Sequence, residues 1–320
     1  MSTSGGTKAV VAALLANTGI ALAKFIAFLL SGSAAMLAES VHSLADSGNQ
    51  GLLLLGGRRA KKVADTEHPF GYGRERYVFA FVVAIVLFSV GGVFSLYEGI
   101  EKIQHPHELE LPWIPLGVLL IAIVLESFSL RTAVRESNHT RGKQSWINFV
   151  RRAKQPELPV VLLEDVAALI GLVLALAGVG LTVLTGNPLW DALGTIAIGA
   201  LLVLVAVVLG AETKSLLVGE GASSLDVQTI REVFNESTRV ESLIHMKTLY
   251  LGPDELLVAA KVAFAPRATA ADVARAINEL EKDIREKLPV ARVIYIEPDI
   301  YLPNDAKNPP TDSIVITSNN

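Results

Sequence analysis

The chain has 320 residues, no cysteine, 51% hydrophobic and 19% charged residues, and a mean hydropathy of +0.45. A soluble globular domain carries about 25% charged residues, so a large part of this chain belongs in lipid. The missing thiols exclude disulfides, thiolate metal sites and cysteine nucleophiles, and a formal charge of −4 argues against a nucleic-acid partner.

A membrane helix needs roughly 20 mostly apolar residues. Six stretches meet that length: Val10 to Leu30, Ser33 to Leu55, Tyr77 to Ile100, Leu111 to Leu130, Leu158 to Leu184 and Pro188 to Val208. Their connections alternate in charge. The first, Ser31 to Ser33, is uncharged. The second carries Arg58, Arg59, Lys61, Lys62, Arg74 and Arg76. The third is acidic, with Glu101, Glu108 and Glu110 against Lys102. The fourth carries Arg131, Arg135, Arg141, Lys143, Arg151, Arg152 and Lys154, and the fifth, Thr185 to Pro188, has no charge. The positive-inside rule then predicts cytoplasmic second and fourth loops and two cytoplasmic termini. The Met1 to Thr7 lead is too short and too uncharged for a cleavable signal peptide.

After Leu217 the pattern changes. Ser224 to Glu236 predicts a helix. Leu243 to Tyr250 and Leu256 to Phe264 predict strands joined by a turn at Gly252-Pro253-Asp254. Thr269 to Leu288 predicts a strongly amphipathic helix, with Val273, Ala276, Ile277, Leu280 and Ile284 on one face. Val293 to Ile300 predicts a third strand. Between Glu220 and Tyr301 stand 14 acidic and 10 basic side chains, the balance of an ordinary solvated domain. The expected organisation is an all-α transmembrane domain of six helices over residues 8–216 and a small cytoplasmic α+β domain, α-β-β-α-β, over residues 217–302. A disordered tail is expected over residues 303–320, where Pro309 and Pro310 stand in a polar stretch.

Ionisable groups inside a membrane span are costly and usually functional. The second span carries Glu39, His42 and Asp46 at spacings of three and four, which puts all three on one helical face. Asn49 continues that face. The fifth span carries Glu164 and Asp165. One imidazole with two or three carboxylates suits zinc or a similar borderline ion, whereas calcium or magnesium prefers oxygen ligands alone. The same groups bind protons, so metal and proton compete for them, and that competition supplies an exchange mechanism. In a soluble core a buried His–Asp pair is more often a structural hydrogen bond. In a lipid-spanning helix, with a second acidic pair in another span, a transport site is the better reading. Glu126 reads as structural, pairing with Arg131 or another helix, and Asp191 as an acid complementing the dipole of its own helix. His105, His107, Glu108 and Glu110 read as a solvated loop rather than as a capture site.

At these residues a family resemblance becomes visible. His42-Ser43-Leu44-Ala45-Asp46 followed by Asn49-Gln50 resembles the second-helix H/D-x-x-x-D motif of the cation diffusion facilitators. His68-Pro69-Phe70-Gly71-Tyr72-Gly73-Arg74 resembles that family's H-x-F-G-x-G-K/R loop. Leu163-Glu164-Asp165, after a long basic loop with Trp146, is similar to the branch of the mitochondrial-type zinc transporter. The resemblance runs from Ala9 to Tyr301. It implies a homodimer of six-helix chains with cytoplasmic termini and a metallochaperone-like tail, exporting zinc or a related ion in exchange for protons. It also implies metal ligands from the second and fifth helices. His42, Asp46 and Asp165 match directly. The fourth position falls on Val161, which cannot bind metal, so Glu164, Asn49, Glu39 or water is expected to complete the shell. Some members bind zinc in the loop through an Asp and two His. Asp65 and His68 match, while the second His position is Tyr72, so at most a weak loop site is expected. The ligands of the family's tail site stand replaced by Lys261, Ile296 and Pro298, leaving His245 alone in the tail, and a tail that dimerises without a binuclear centre is expected.

The function expected is a proton-coupled antiporter that exports Zn2+, or Fe2+, Mn2+ or Co2+, from the cytoplasm by alternating access. The metal is its cargo and no cofactor is expected. Its partners are the metal ion, protons, membrane lipid and a second copy of the chain, with no nucleic acid. A bacterial cytoplasmic membrane is the expected location. The alternatives are a non-transporting membrane-anchored partner in metal homeostasis and an intramembrane metalloprotease. The second lacks His-Glu-x-x-His and has a single lipid-embedded histidine.

Overall fold

A computed structural model describes residues 4–106, 111 and 113–300. Among the described residues up to Val218 stand seven helices: α1 (Ser4–Ser31), α2 (Ala34–Arg59), α3 (Glu75–Gln104), α4 (Trp113–Arg141), a short α5 (Trp146–Arg152), α6 (Glu157–Thr185) and α7 (Leu189–Val218). Among the described residues, four helical segments are long and apolar enough to cross a membrane: Glu75–Gln104, Trp113–Asn138, Glu157–Thr185 and Leu189–Val218. In α1 the apolar stretch is Asn17–Ser31. The 26 residues of α2 include Glu39, His42, Asp46, Asn49 and Gln50, which lower its hydropathy.

The chain divides into two compact units, with the Ala64–Arg74 loop belonging to the C-terminal one. The helical unit is built with its polarity reversed relative to a soluble protein. Lys24, Glu39, His42, Asp46, Glu164 and Asp165 are buried, while Leu22, Leu29, Leu44, Ile121, Val173 and Leu204 are exposed. An apolar exterior around a polar seam is what a lipid solvent selects, because charges are tolerated only where they face protein. Between the polar groups the interior is filled by Ala27, Met36, Leu53, Val83, Leu87, Leu119, Leu172 and Leu202.

Local chemistry fixes the helix ends. The α1–α2 turn uses Gly32 at φ +65°, and Ser33 caps α2 by accepting from the Met36 amide at 3.3 Å. Asp191 accepts from Ser33 Oγ at 3.0 Å and from the Ala35 amide at 3.3 Å. It therefore complements the N-terminus of α2, a neighbour, as well as sitting in the first turn of α7. Glu126 is buried on α4 and forms no ion pair with Arg131 among the described residues. Helix α3 contains a π-helical segment, Leu87–Val93. Its Gly92, together with Gly99, lies against α7: added Cβ atoms would come within 2.7 Å of Val203 Cγ2 and 2.6 Å of Ile196 Cγ1. Arg76 at the start of α3 pairs with Glu157 at the start of α6. The short α5, which sequence periodicity does not reveal, is capped by Ser145 and anchored by buried Phe149.

The C-terminal unit contains α8 (Ser224–Glu236), β1 (Ser242–Gly252), β2 (Glu255–Ala263), α9 (Ala270–Lys287) and β3 (Ala291–Asp299), the predicted α-β-β-α-β order. The sheet order is β1-β2-β3. β1 and β2 form an antiparallel hairpin, and β3 returns parallel to β2 after the α9 crossover. Ile230 and Phe234 of α8, Val258 and Val262 of β2, and Leu280 and Ile284 of α9 form its core. Thr269 and Asp272 make a capping box at the start of α9. The predicted tail over residues 303–320 lies outside the described residues, as do His107, Glu108 and Glu110.

Candidate metal centre

Helix α2 presents one face in which every third or fourth residue is polar and buried. His42 Nε2 lies 3.4 Å from Asp46 Oδ2. Neither imidazole nitrogen, nor Asp46 Oδ1, has a hydrogen-bond partner among the described residues. Buried polar atoms normally are satisfied, so this pair has free coordinating capacity. The ring lies near the π-helical segment of α3, where a Cβ on Gly91 would lie 4.0 Å from His42 Nδ1, an ordinary contact distance. One turn further along α2, Asn49 Nδ2 donates to Glu164 Oε1 at 2.7 Å, which ties α2 to α6, while Asn49 Oδ1 has no hydrogen-bond partner among the described residues. Asp165, the next residue of α6, accepts from Ser129 Oγ of α4 at 3.1 Å.

The structure thus brings His42 to Asp46 and Glu164 to Asn49. Among the described residues it gathers no group of three or more His, Asp or Glu side chains closely enough to hold an ion. Val161, at the position where a ligand would be expected, packs with the apolar core. Glu39 has a different environment. Its Oε2 accepts from Lys24 Nζ at 2.8 Å, and Lys24 also donates to Ser43 Oγ at 2.8 Å. Sequence reasoning passed over Lys24, Ser43 and Ser129. A lysine in the middle of an apolar stretch was a visible signal for the first, whereas the two serines become partners only once the helices pack.

In the Ala64–Arg74 loop, Asp65 collects donors. Tyr72 donates its hydroxyl at 2.6 Å, and the amides of His68 and Glu67 donate at 2.8 Å and 3.1 Å. The Tyr72 hydroxyl, then the His68 amide, hold its carboxyl below the ordinary aspartate range. His68 Nδ1 is 3.5 Å from Asp65 Oδ1, and its ring stacks on Tyr72 with centroids 4.4 Å apart. Tyr72 therefore fills with a phenol the space where a second imidazole would have to sit. In the sheet, Lys261 Nζ lies 3.2 Å from Glu297 Oε1 and 3.0 Å from Asp299 Oδ2. These two carboxylates raise its pKa, Asp299 foremost. An ammonium thus bridges β2 to two carboxylates of β3, in register with Glu297.

A family model of the cation efflux transmembrane domain matches residues 10–218. The chain is 33% identical over 265 residues to the "Proton-coupled zinc antiporter SLC30A9, mitochondrial" of Homo sapiens, covering 82% of this chain and 47% of that protein. It is 29% identical over 262 residues to "Metal tolerance protein C4" of Arabidopsis thaliana, covering 80% and 57%. It is 25% identical over 290 residues to "Magnetosome protein MamB" of Paramagnetospirillum magneticum (strain ATCC 700264 / AMB-1), covering 89% and 90%. The chain spans about half the length of the first of these relatives.

Proposed function

The chain belongs to the cation diffusion facilitator family of cation efflux transporters, and from this premise we propose that it is a proton-coupled antiporter exporting Zn2+ from the cytoplasm. Members of this family are transporters rather than enzymes, the chain is an integral membrane protein, and its cargo is a metal ion. The finer reading has six spans, both termini in the cytoplasm and a homodimer. Zinc ranks above Fe2+, Mn2+ and Co2+ because the donor set contains one imidazole among carboxylates. A bacterial cytoplasmic membrane remains the location proposed.

The observation that carries this reading is the buried His42–Asp46 pair, whose two ring nitrogens and Asp46 Oδ1 have no hydrogen-bond partner among the described residues. His42, Asp46 and Asp165 are the proposed ligands. Glu164, oriented by Asn49, supplies the fourth, and Asn49 Oδ1 is the alternative donor. Glu39 is set aside as a ligand because Lys24 already holds one of its oxygens. Loading the site requires Asp165 of α6 to reach the His42–Asp46 pair of α2. Alternating access then turns the loaded site outward. Protons take the imidazole and carboxylates and displace the ion, since each group binds a proton or a metal but not both. The loop residues Asp65 and His68 act as a turn held by Tyr72, with weak metal binding at most.

The test is metal-driven proton flux in proteoliposomes carrying the purified chain. Asp46→Ala and Asp165→Ala each reduce the flux to the protein-free background. Retained flux in both variants sinks the ligand assignment, and metal binding without any transport in the wild type selects the non-transporting alternative. Proton flux without divalent metal argues against obligatory exchange.

A further inference from the structure

Lys24 is 2% exposed inside the helical unit, so its ammonium is solvated by protein: by Glu39 Oε2 and Ser43 Oγ, each at 2.8 Å. A buried ion pair is often no more stabilising than apolar side chains of the same volume, so stability alone is a weak reason for it. Glu39 stands one helical turn before His42 on the same face of α2, and Ser43 is the residue after His42. The second oxygen of Glu39, Oε1, has no hydrogen-bond partner among the described residues. It faces Gly171 of α6, where an added Cβ would lie 2.8 Å away. Glu39 and Ser43 are therefore an oxygen-donor pair beside the imidazole turn, reaching the helix that carries Asp165, with a monovalent cation seated on them.

We infer that Lys24 is a specificity-determining residue: its ammonium is a resident cation that fills the Glu39–Ser43 position, so that a divalent ion finds the His42–Asp46 position and no second one a turn away. The inference rests on the transport reading above. Its chemical content follows from the donors. His42 contributes nitrogen and favours borderline ions, whereas Glu39 and Ser43 contribute oxygen alone, a set that suits harder ions such as Mn2+. Lys24 excludes those ions from the seam. Glu39 in turn keeps the ammonium neutralised and away from the cargo.

The experiment measures Zn2+ and Mn2+ uptake side by side for the full chain in proteoliposomes. Lys24→Met raises the Mn2+ to Zn2+ ratio of kcat/KM by about tenfold or more, as a gained carboxylate ligand should. Glu39→Gln frees the ammonium and raises the KM for Zn2+ by about tenfold or more through repulsion. The double variant Lys24→Met/Glu39→Gln removes both charges and returns both quantities to within about threefold of wild type, because the two sites are coupled. Should Lys24→Met fail to fold, Glu39→Gln and the double variant carry the comparison. An unchanged Zn2+ KM in Glu39→Gln, an unchanged ratio in folded Lys24→Met, or a double variant that sums the single effects overturns the inference. Full transport by Asp46→Ala overturns the transport reading itself. Abolished transport there, with no rescue here, removes only the role of Lys24.

Discussion

Asp65 shows how a single residue can turn a metal-like motif into a purely protein one. Its carboxylate accepts from the Tyr72 hydroxyl and from two backbone amides, and these bonds hold its pKa below the ordinary aspartate range. A depressed folded pKa contributes order that is present above the unfolded value and lost as pH falls through the folded one. The Asp65–Tyr72 turn is therefore intact at neutral pH and opens only in acid below the usual aspartate titration. Tyr72→Phe removes the largest cause, so the Asp65 pKa rises and the loop opens at a higher pH than in the wild type. A carbon-13 titration of the Asp65 carboxyl checks this, and an unchanged midpoint in Tyr72→Phe defeats it. The same residue marks what sequence can and cannot tell. The substitution at Tyr72 was legible as a lost ligand, but the bond that replaces it was not, because a hydroxyl's partner is set by how the turn closes. Lys24 makes the complementary case: the sequence reading passes over this charge in the first apolar stretch, and its attachment to Glu39 depends on the rotation of α1 against α2. The spacing of His42 and Asp46 needed no packing to interpret, since one helix supplies both.

Elements add constraints that individual side chains lack. The helices and strands of the C-terminal unit were readable from periodicity, with edges displaced by one or two residues, as for β1 at Ser242–Gly252. The parallel return of β3 was not, because register and strand order come from the α9 crossover. Also hidden was the docking of the Ala64–Arg74 loop on the β1–β2 hairpin within this unit. There Gly73 meets backbone on backbone: an added Cβ would lie 2.8 Å from the Leu251 carbonyl oxygen and 3.1 Å from Gly252 Cα. Neither neighbour is the end of a flexible side chain, so Gly73→Ala must displace the loop or the hairpin. Its expected cost is about 1–3 kcal/mol, typical of overpacking. Gly57→Ala in α2 is the control, since nothing lies within 4 Å of its added Cβ and alanine is the better helix former. The thermal midpoint of the purified chain should fall for Gly73→Ala and hold or rise for Gly57→Ala. Equal midpoints would show that the loop is not docked as described.

At the scale of the whole molecule, the buried charges and the exposed leucines require one solvent to be lipid, but they do not orient the chain in it. Orientation comes from the loops. Arg58 and Arg59 end α2 and Lys61 and Lys62 follow it, whereas α3 ends with Glu101 in its last turn and His105 follows it. Under the six-span proposal these two connections lie on opposite sides of the membrane, with the basic one cytoplasmic. The absence of native cysteine makes that claim unusually direct to test. A thiol introduced at either position is the sole target for a membrane-impermeant maleimide. Lys61 and His105 are both exposed, so neither substitution disturbs the interior. In sealed, right-side-out vesicles, His105→Cys should label from outside and Lys61→Cys only after permeabilisation. Inverted vesicles should reverse the pattern. If both positions label from the same side, α3 does not cross and the six-span proposal fails. If the pattern is opposite in sign, the chain is inverted and the proposed direction of export becomes import. The labelling thus bears on mechanism as well as topology, because the same His42–Asp46 site moves metal outward or inward according to which face of the bundle meets the cytoplasm.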